Sequence, residues 1–591
     1  MSSGIGNEEQ RVLWYALLIG GAVIALSTRL GYRGISEALL LLVSVLLAAR
    51  FSYAILTKRF TVDLLMSVAG LVLLRHGLVL EGGIVMALYG LAELSEEYAE
   101  RYAIRKLEGL RKLIPRKALV ERNGGLYEVS AEELRPGDIV VVRKGEAVPV
   151  DIRLVSRGVF DLSHVTGEPE PVEALPGVEV PSGAINLGNP VKGIAIREPS
   201  SSFMQRLVRE ALEAAERKAS IQRLLERIAP HITLGVLAVF AATHLVLGGV
   251  RAVSILLAGC PSAFIVTSGY STALSIALLA SRGVVVKGGQ VLEASAKVRV
   301  VLLDKTGTVT TTRHRVARVQ PPPGISEERF LALVSSLAAA SLHPLSRALA
   351  TIAQDRLPVS HVKETPGLGI EGVVDGARVF IGRVEGDAPE CPRGLKTIHA
   401  RVEGGIGAIC LEEVVDPSAP RAVAEIKSMG LRIVLASGDQ VERVARIARV
   451  LGVDEYYGGL KPEDKARLVE EYRRRAGPVA FAGDGINDLV AIAGADVGIA
   501  VGSIEAATGV ADAVSPGGAL GVARLLKASR SFQRALVYSF TLATLVKVAA
   551  AIGGLAGVLD PIIVALVGDD GSTMASIALA TLMLAHLHKR P

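Results

Sequence analysis

Long apolar stretches recur near both ends of this 591-residue chain and are separated by two long polar intervals. A helix needs about 20 apolar residues to cross the hydrocarbon core of a bilayer. Four pairs of stretches approach that length, so the pattern predicts eight membrane-spanning helices. The predicted stretches are 12–30, 35–56, 60–74, 78–94, 229–250, 252–280, 535–559 and 561–587.

The basic residues between these stretches predict an orientation. Eight spans place both termini on one side, and that side would carry Lys58, Arg59, Lys287 and the basic segment 101–117. Loops rich in lysine and arginine stay in the cytoplasm. We therefore predict a multi-pass protein of the cell membrane whose termini and soluble domains are cytoplasmic.

The two polar intervals predict two soluble insertions of different class. The first alternates short apolar runs with turn signals such as Arg135-Pro136-Gly137-Asp138 and predicts a β-rich domain. The second alternates strands and helices in the α/β manner. Its runs Val298–Leu303, Arg432–Ala436 and Val479–Ala482 are typical of buried parallel strands. The segment between the first two runs is long enough to form an inserted α+β domain.

The predicted domain boundaries follow from these intervals. They are 1–97 for helices 1 to 4, 98–225 for the β-rich domain, 226–284 for helices 5 and 6, 285–316 and 415–530 for the two parts of the α/β domain, 317–414 for the inserted domain, and 531–591 for helices 7 and 8.

Composition narrows the class of protein. Half of the residues are hydrophobic but only 4% are aromatic, which suits lipid-facing helices built from aliphatic residues. A net charge of +6 is small for this length and predicts no nucleic-acid partner. Three widely spaced cysteines exclude a disulfide framework and a Cys-x-x-Cys metal module. We expect the protein to act as a monomer.

The ends of the predicted strands carry polar loops that contain glycine. The first strand leads into Asp304-Lys305-Thr306-Gly307-Thr308. A carboxylate at this place can attack a phosphoryl group, and Gly307 lets the backbone approach the phosphate. At the second strand end, Ser437-Gly438-Asp439 offers a hydroxyl and a free amide to phosphoryl oxygens.

Carboxylates at the third strand end predict a magnesium site. Asp484 and Asp488 lie in the segment Gly483–Asp488 and offer the hard oxygen ligands that Mg²⁺ prefers. Lys465 is positioned in sequence to neutralise a phosphorylated aspartate. No Gly-x-x-x-x-Gly-Lys-Ser/Thr segment occurs, which disfavours a P-loop ATPase.

Together these loops resemble the three signature loops of the P-type ATPases, membrane pumps with a haloacid-dehalogenase-like phosphorylation domain. The β-rich insertion adds Thr166-Gly167-Glu168, which is similar to the actuator loop of that family. The resemblance implies that the nucleophile attacks the γ-phosphate of ATP and that Glu168 positions the water for hydrolysis. It further implies that Mg²⁺ is held by Asp304, Asp484 and the Thr306 carbonyl. The predicted catalytic residues are Asp304, Lys305, Thr306, Glu168, Ser437, Lys465, Asp484 and Asp488.

The inserted domain resembles the nucleotide-binding domain of the heavy-metal-transporting branch. The similar segments are Ser341-Leu342-His343-Pro344 and Gly367-Leu368-Gly369. The resemblance implies that His343 contacts the adenine ring together with a nearby glutamate, either Glu364 or Glu371. Gly367 and Gly369 complete the predicted ATP-binding set.

Polar residues within the predicted membrane helices are candidates for ion binding, because they are costly there. Cys260-Pro261-Ser262 interrupts the sixth helix, where proline frees backbone carbonyls and a thiolate favours soft cations. The heavy-metal branch carries a Cys-Pro motif at this point, often followed by a second cysteine. This chain has Ser262 instead.

A lysine and an aspartate in the last two helices refine the choice of ion. Lys547 and Asp569 predict an ion pair between helices, and they resemble the lysine and aspartate of the zinc/cadmium/lead exporters. By position Asp569 matches that aspartate, and Asp570 is additional. Glu93 and Glu96 near the end of the fourth helix are candidates to guide the ion. The predicted set for the transported metal is Cys260, Asp569, Lys547 and Glu93.

The sequence therefore predicts an ATP-driven pump that exports Zn²⁺, Cd²⁺ or Pb²⁺ through an aspartyl phosphate, with Mg²⁺ and ATP as cofactors. Two alternatives remain. Ser262 favours a P-type pump for another ion, such as Cu⁺ or K⁺. A membrane-anchored phosphatase would use the same aspartate chemistry, but it would need neither the actuator loop nor eight helices.

Overall fold

The computed structural model describes most of the chain, in two compact units. The first unit comprises residues 1–297 and 524–591, and the second comprises 298–523. Glu168, His343 and Gly367 lie outside the described residues. The described residues are 3–56, 63–109, 115–122, 124–163, 165, 171–341, 346, 349–350, 356–365, 368–384, 388–484, 488–502 and 509–585.

Four helices open the first unit: α1 (Ser3–Arg29), α2 (Arg33–Leu56), α3 (Asp63–Arg75) and α4 (Val79–Gly109). Glycines let α1 and α4 approach closely, since a Cβ on Gly21 would lie 2.4 Å from the Ala87 nitrogen. The 13 residues of α3 span about 20 Å at 1.5 Å per residue, which is less than the hydrocarbon thickness of a bilayer.

The β-rich insertion follows α4 and consists of two antiparallel sheets. One has the order β2-β1-β3-β9-β4-β7 and the other the order β6-β5-β8. The β-rich class predicted for this interval is confirmed. The elements are β1 (Lys117–Arg122), β2 (Gly125–Ser130), β3 (Ile139–Val142), β4 (Ile152–Leu154), β5 (Gly158–Asp161), β6 (Val172–Ala174), β7 (Glu179–Val180), β8 (Ile185–Asn186), β9 (Val191–Ala195) and α5 (Phe203–Glu216).

The chain returns to apolar helices after α5. They are α6 (Ser220–Leu247), α7 (Gly249–Ala258) and α8 (Ser262–Ala280). The predicted sixth span is thus two helices, because the chain breaks at Gly259, Cys260 and Pro261. Two short elements follow, β10 (Val285–Val286) and α9 (Gly289–Lys297), before the second unit begins with β11 (Val300–Asp304).

An antiparallel sheet with its own apolar core lies between the first two parallel strands, in the part of the chain where the inserted domain 317–414 was predicted, and its first strand begins at Thr310. Its strand order is β12-β17-β16-β15-β14-β13, and Phe330, Leu333 and Leu337 of its helix pack against it. The elements are β12 (Thr310–Gln320), α10 (Glu327–Ala338), β13 (Val359–Thr365), β14 (Gly369–Val374), β15 (Ala377–Gly382), β16 (Lys396–Val402) and β17 (Gly405–Val415).

The wide spacing of the cysteines predicted no disulfide framework, but two of the three cysteines are paired. Cys391 and Cys410 form a disulfide, 19 residues apart in sequence. The hairpin of β16 and β17 places Cys410 opposite Thr397, and the Cys391 N–H donates to the Thr397 hydroxyl. The pairing of the two strands therefore brings together two cysteines that are far apart in the sequence.

The second unit is organised around a parallel sheet. Its strands have the order β22-β21-β20-β11-β18-β19, and Leu302, Val434 and Phe481 of its central strands are fully buried. The remaining elements are α11 (Ala419–Ser428), β18 (Arg432–Ala436), α12 (Val441–Leu451), β19 (Glu455–Tyr457), α13 (Pro462–Ala476), β20 (Val479–Gly483), α14 (Leu489–Gly494), β21 (Val497–Val501) and β22 (Ala513–Ser515).

Two long helices end the described chain, α15 (Gly518–Leu555) and α16 (Pro561–Ala585). Residues Val564–Gly571 of α16 form a π-helical segment. Leu245, Val246 and Leu582 are at least 70% exposed, as side chains facing lipid would be.

Among the described residues, four helical stretches are long and apolar enough to cross a membrane, fewer than the predicted eight. They are Phe203–Leu247, Gly249–Ala280, Gly518–Leu555 and Pro561–Ala585, and Trp14–Arg29 is a shorter apolar helix.

Candidate active site

The parallel order of the sheet brings the predicted loops to one edge. Asp304 ends β11 and pairs with Ala436, the last residue of β18, while β20 lies on the other side of β11. Because parallel strands end at the same edge, Ser437 and Asp484 follow their strands beside Asp304. Asp304 and Ser437 are buried, whereas Asp484 is exposed.

Lys465 of α13 holds two carboxylates of this edge together. Its ammonium donates to Asp304 Oδ1 and to Asp488 Oδ1, at 2.6 Å each. Burial, with the charges of Asp488 and Asp484, raises the pKa of Asp304 to about 6, although Lys465 opposes the rise. Burial alone would lower the pKa of Lys465, but Asp304 and Asp488 outweigh it and raise that pKa. Asp304 is thus an ionised, poorly solvated carboxylate at neutral pH.

A second lysine, Lys305, is buried beside the candidate nucleophile. Its ammonium donates to Asp439 Oδ2 at 3.0 Å and to the Glu413 carboxylate. Burial would raise the pKa of Asp439, but Lys305, together with Arg443, holds that pKa below its ordinary value. Glu413 was not predicted. The only sequence signal for it is a pair of glutamates at the end of the inserted domain.

The three carboxylates are suited to a divalent cation. Ligand atoms of Asp304, Asp484 and Asp488 lie within 4.8 Å of one another, and the single ammonium of Lys465 leaves them with excess negative charge. Gly307 has a φ of +70°, and a Cβ there would lie 2.4 Å from Asp484 Oδ2. A larger residue at 307 would therefore displace one of the candidate ligands.

A cavity of about 600 Å³ opens in front of these groups. All three predicted loops line it, together with Lys396 of the inserted domain and Arg443 of α12. The Thr306 N–H donates to Asp304 Oδ2 at 3.0 Å, and the Ser437 hydroxyl accepts from the Asp439 N–H at 3.2 Å. The cavity thus offers cationic side chains and hydrogen-bond donors to a phosphoryl group, beside the carboxylates suited to a divalent cation.

Lys465→Met is expected to move the pH profile of phosphoenzyme formation upward. Without the ammonium, the pKa of Asp304 rises further above 6, so the attacking carboxylate is lost at a higher pH as the medium is acidified. The midpoint should rise by roughly 1 to 3 pH units. Phosphoenzyme formed from radiolabelled ATP, measured from about pH 5 to about pH 10 so that the shifted midpoint is covered, checks this.

Lys427→Met is the matched control, since Lys427 pairs at the surface with Asp454 and should leave the midpoint unchanged. An unchanged midpoint in Lys465→Met as well would contradict electrostatic control of Asp304 by Lys465.

The predicted nucleotide-binding residues are only partly described. The Ser341 hydroxyl donates to Glu364 Oε1 at 2.8 Å. The motif that begins at Ser341 is therefore hydrogen-bonded to one of the two candidate glutamates. Glu371 is exposed on the next strand, 3.8 Å from the Lys363 ammonium. Gly369 pairs with Gly382, and a Cβ on Gly369 would lie 2.2 Å from the Ile381 carbonyl oxygen, which excludes a side chain there.

The ion pair predicted between the last two helices is present. The Lys547 ammonium of α15 donates to Asp569 Oδ1 at 2.9 Å, and both side chains are more than 90% buried. Asp569 lies in the π-helical segment of α16, a type of distortion that is frequent at functional sites. The sequence did not predict the π-helical segment. Its one distinctive sequence feature is the pair of consecutive aspartates, Asp569 and Asp570.

The remaining ion-site candidates converge on this pair. Cys260, a free and buried thiol, lies in the break between α7 and α8, within electrostatic reach of Asp569 and Lys547. A Cβ on Gly568 would lie 3.3 Å from the Ala258 Cβ, so the π-helical segment packs against the end of α7. Glu93 of α4 interacts electrostatically with Asp570.

The sulfur of Cys260 has a hydroxyl neighbour where the resemblance suggested a second cysteine. Ser262 interacts with the Cys260 sulfur through both its hydroxyl and its backbone. Glu96, the second residue predicted to guide the ion, interacts electrostatically with Asp569, Asp570 and Lys547. The group is therefore one thiol and several carboxylates around a single buried ammonium.

Comparison with known proteins identifies similar families and relatives. A model of the P-type ATPase actuator domain matches residues 112–212, and a model of haloacid dehalogenase-like hydrolases matches 298–496. A zinc/cadmium/lead-transporting P-type ATPase of Shigella sonnei is 33% identical over 552 residues, covering 89% of this chain and 75% of that protein. A copper-exporting P-type ATPase of Mycobacterium tuberculosis is 32% identical, covering 76% of this chain and 62% of that protein.

A solved structure is similar along the whole length. The crystal structure of a zinc-transporting PIB-type ATPase superimposes with a TM-score of 0.62 at 29% identity, covering 98% of this chain and 100% of that one.

Proposed function

Because this chain belongs to the P-type ATPases, a family of ATP-hydrolysing multi-pass membrane transporters, we propose that it exports Zn²⁺, Cd²⁺ or Pb²⁺ from the cytoplasm. The observation that carries the choice of ion is the buried Lys547–Asp569 pair beside the Cys260 thiol. A thiolate and a carboxylate together suit borderline and soft divalent metals. The zinc/cadmium/lead-transporting relative supports the same choice.

Asp304 is proposed as the nucleophile that takes the γ-phosphoryl group of ATP. The ionised Asp304 attacks phosphorus, the bond to the β-phosphate oxygen breaks, and ADP leaves. Lys465 faces the attacked carboxylate and is positioned to neutralise the added charge, while Ser437 offers its hydroxyl to the phosphoryl oxygens. Lys305, held by Asp439 and Glu413, places one ammonium in the lining of the cavity.

Asp304 and Asp484, with the Thr306 carbonyl, are proposed to hold Mg²⁺. The excess negative charge of the carboxylate cluster and the close fit of Gly307 against Asp484 support this assignment. Bound there, Mg²⁺ would supply charge neutralisation for the transferring phosphoryl group.

The segment 317–414 is proposed to bind the adenine end of ATP. Its separate apolar core supports an independent domain. The contact between Ser341 and Glu364 favours Glu364 over Glu371 as the glutamate beside His343. Gly367 and Gly369 would give the nucleotide room against the backbone.

The remaining architecture is also a proposal. We propose eight membrane helices, with cytoplasmic termini and soluble domains, and a monomeric pump. Apolar side chains exposed on α1 and α2, such as Ile19, Leu26 and Leu42, support membrane contact for the N-terminal helices. The proposed domain boundaries are those predicted from the sequence.

Glu168→Ala is expected to accumulate phosphoenzyme. The family resemblance gives Glu168 the task of activating the water that hydrolyses aspartyl phosphate, and loss of such a base slows a step by about 10² to 10⁴-fold. Decay of radiolabelled phosphoenzyme after a chase with unlabelled ATP measures this. Glu173→Ala, in the strand that follows, is the matched control, and decay at the normal rate in Glu168→Ala would contradict the role.

Stimulation of ATPase activity by a panel of metals tests the proposed substrate. Purified protein in proteoliposomes should respond to Zn²⁺, Cd²⁺ or Pb²⁺ and not to K⁺. Ser262 favours a competing ion such as Cu⁺ or K⁺, because a site with a single cysteine departs from the two-cysteine pattern of the heavy-metal branch. Stimulation by Cu⁺ alone would establish that alternative, and metal-independent hydrolysis of simple phosphate esters would indicate a phosphatase.

A further inference from the structure

A histidine of the turn between α3 and α4 and a histidine of α6 converge on Gly249, the first residue of α7. A Cβ built on Gly249 would lie 2.3 Å from Cε1 and 2.9 Å from Nε2 of His76, and 2.9 Å from Cε1 of His244. The two imidazole rings therefore approach each other to within 6 Å across the glycine. Only glycine leaves room for both rings.

His76 presents a free lone pair toward this point. Its Nδ1 lies 2.8 Å from the Val72 carbonyl oxygen, and a carbonyl can only accept, so Nδ1 carries the hydrogen. In a neutral imidazole the other nitrogen, Nε2, then offers its lone pair. A backbone carbonyl that fixes the tautomer in this way is the usual support for a metal-binding histidine.

His244 contributes a nitrogen that lacks a partner. Its Nδ1 is buried and has no hydrogen-bond partner among the described residues. The Phe240 ring packs beside the imidazole, with centroids 5.7 Å apart. A buried imidazole nitrogen without a partner is costly unless a ligand satisfies it.

The order of the chain places this pair at the helix ends opposite the β-rich insertion. α4 leads into the β-rich insertion at its C-terminus, and α6 leaves that insertion at its N-terminus. His76 lies in the turn before α4, and His244 lies in the last turn of α6. Both are thus a full helix length from the insertion, on the side to which the proposed function releases the ion.

We propose that His76 and His244 form a binding site for a divalent transition-metal ion such as Zn²⁺, separate from the group around Asp569. Neutral imidazole nitrogens are preferred zinc ligands, and water completes the coordination. Two protein ligands make a weak site, which suits an ion in transit. Arg33, whose guanidinium lies over Gly77 next to His76, weakens cation binding further. The release role rests on the proposed function, but metal binding does not.

Zinc protection against histidine modification tests the site in the full-length protein. Diethyl pyrocarbonate modifies imidazole nitrogens with free lone pairs, and mass spectrometry reads each histidine separately. The background is the double variant Lys547→Met/Asp569→Asn, which removes both charges of the proposed intramembrane site without leaving a buried ammonium unpaired, and no ATP is added. Zn²⁺ should slow modification of His76 and His244 but not of His231, an exposed histidine in the N-terminal half of α6.

Two variants separate a shared site from two independent histidines. His76→Gln should raise the Zn²⁺ concentration that half-protects His244 by at least about tenfold. Gly249→Ala keeps both imidazoles but forces the rings apart, and should weaken the protection of both. Persistent protection of His244 in His76→Gln, or equal protection of His231, would overturn the proposal. Because this assay needs no turnover, a pump with another substrate would still give a clear result.

Discussion

Asp304→Asn is expected to abolish phosphoenzyme formation and metal-stimulated ATP hydrolysis. An amide keeps the shape of the side chain but cannot attack phosphorus, and enzymes that lose their nucleophile lose activity by on the order of 10⁶-fold. Asparagine also removes one negative charge from a cluster in which Lys465 already faces two carboxylates, so the fold of the unit should persist. Acid-stable incorporation of radiolabel from ATP is the measurement.

Asp454→Asn is the matched control for this variant. Asp454 lies in the same unit, but its Oδ2 accepts from the Ile433 N–H at the start of β18, the edge of the sheet opposite Asp304. This variant loses a surface contact and should phosphorylate normally. ATP-driven metal transport by Asp304→Asn at the normal rate would refute the aspartyl-phosphate mechanism.

The meeting of the three loops was predictable, because it follows from strand order alone. Asp304, Ser437 and Asp484 each come directly after an apolar run, and buried parallel strands must end at one edge. The length of the apolar runs and the breaking effect of Pro261 likewise predicted the helices and the break between α7 and α8. These features are local in the sequence, or follow from a topological rule.

Contacts that depend on side-chain packing were not predictable. Lys465 precedes Asp488 by 23 residues, and nothing in either residue specifies that one ammonium binds both Asp488 and Asp304. Glu413 reaches Lys305 only because β17 ends beside the cavity. The disulfide of Cys391 depends on the hairpin register, and the π-helical turn at Asp569 depends on packing of Gly568 against Ala258 and Ala550.

Burial of one cation among several carboxylates occurs in both units. Lys465 binds two carboxylates in the second unit, and Lys547 binds Asp569 in the first. In each case the carboxylates outnumber the ammonium, and a buried excess of negative charge is costly until a cation arrives. The same physical arrangement therefore suits both the proposed Mg²⁺ site and the proposed site for the transported ion.

Asp569→Asn is expected to remove stimulation of ATP hydrolysis by Zn²⁺. The substitution deletes a charged candidate ligand, and the affinity for the metal should fall by at least about 100-fold. It also leaves the Lys547 ammonium buried without its partner, and breaking such a pair costs about 3–5 kcal/mol. Loss of activity in this variant alone would thus be ambiguous between lost binding and lost folding.

The double variant Lys547→Met/Asp569→Asn resolves the two causes. Removing both charges of a buried pair is often neutral for stability, so thermal unfolding should return toward that of the native protein. If Asp569 is a ligand, zinc stimulation stays absent in the double variant although the fold is restored. If the pair only supports the helices, stimulation returns with stability. Asp570→Asn, one residue away and outside the ion pair, tests whether the neighbouring carboxylate contributes to the same zinc affinity. A site centred on Asp569 requires a smaller loss of that affinity in Asp570→Asn than in Asp569→Asn.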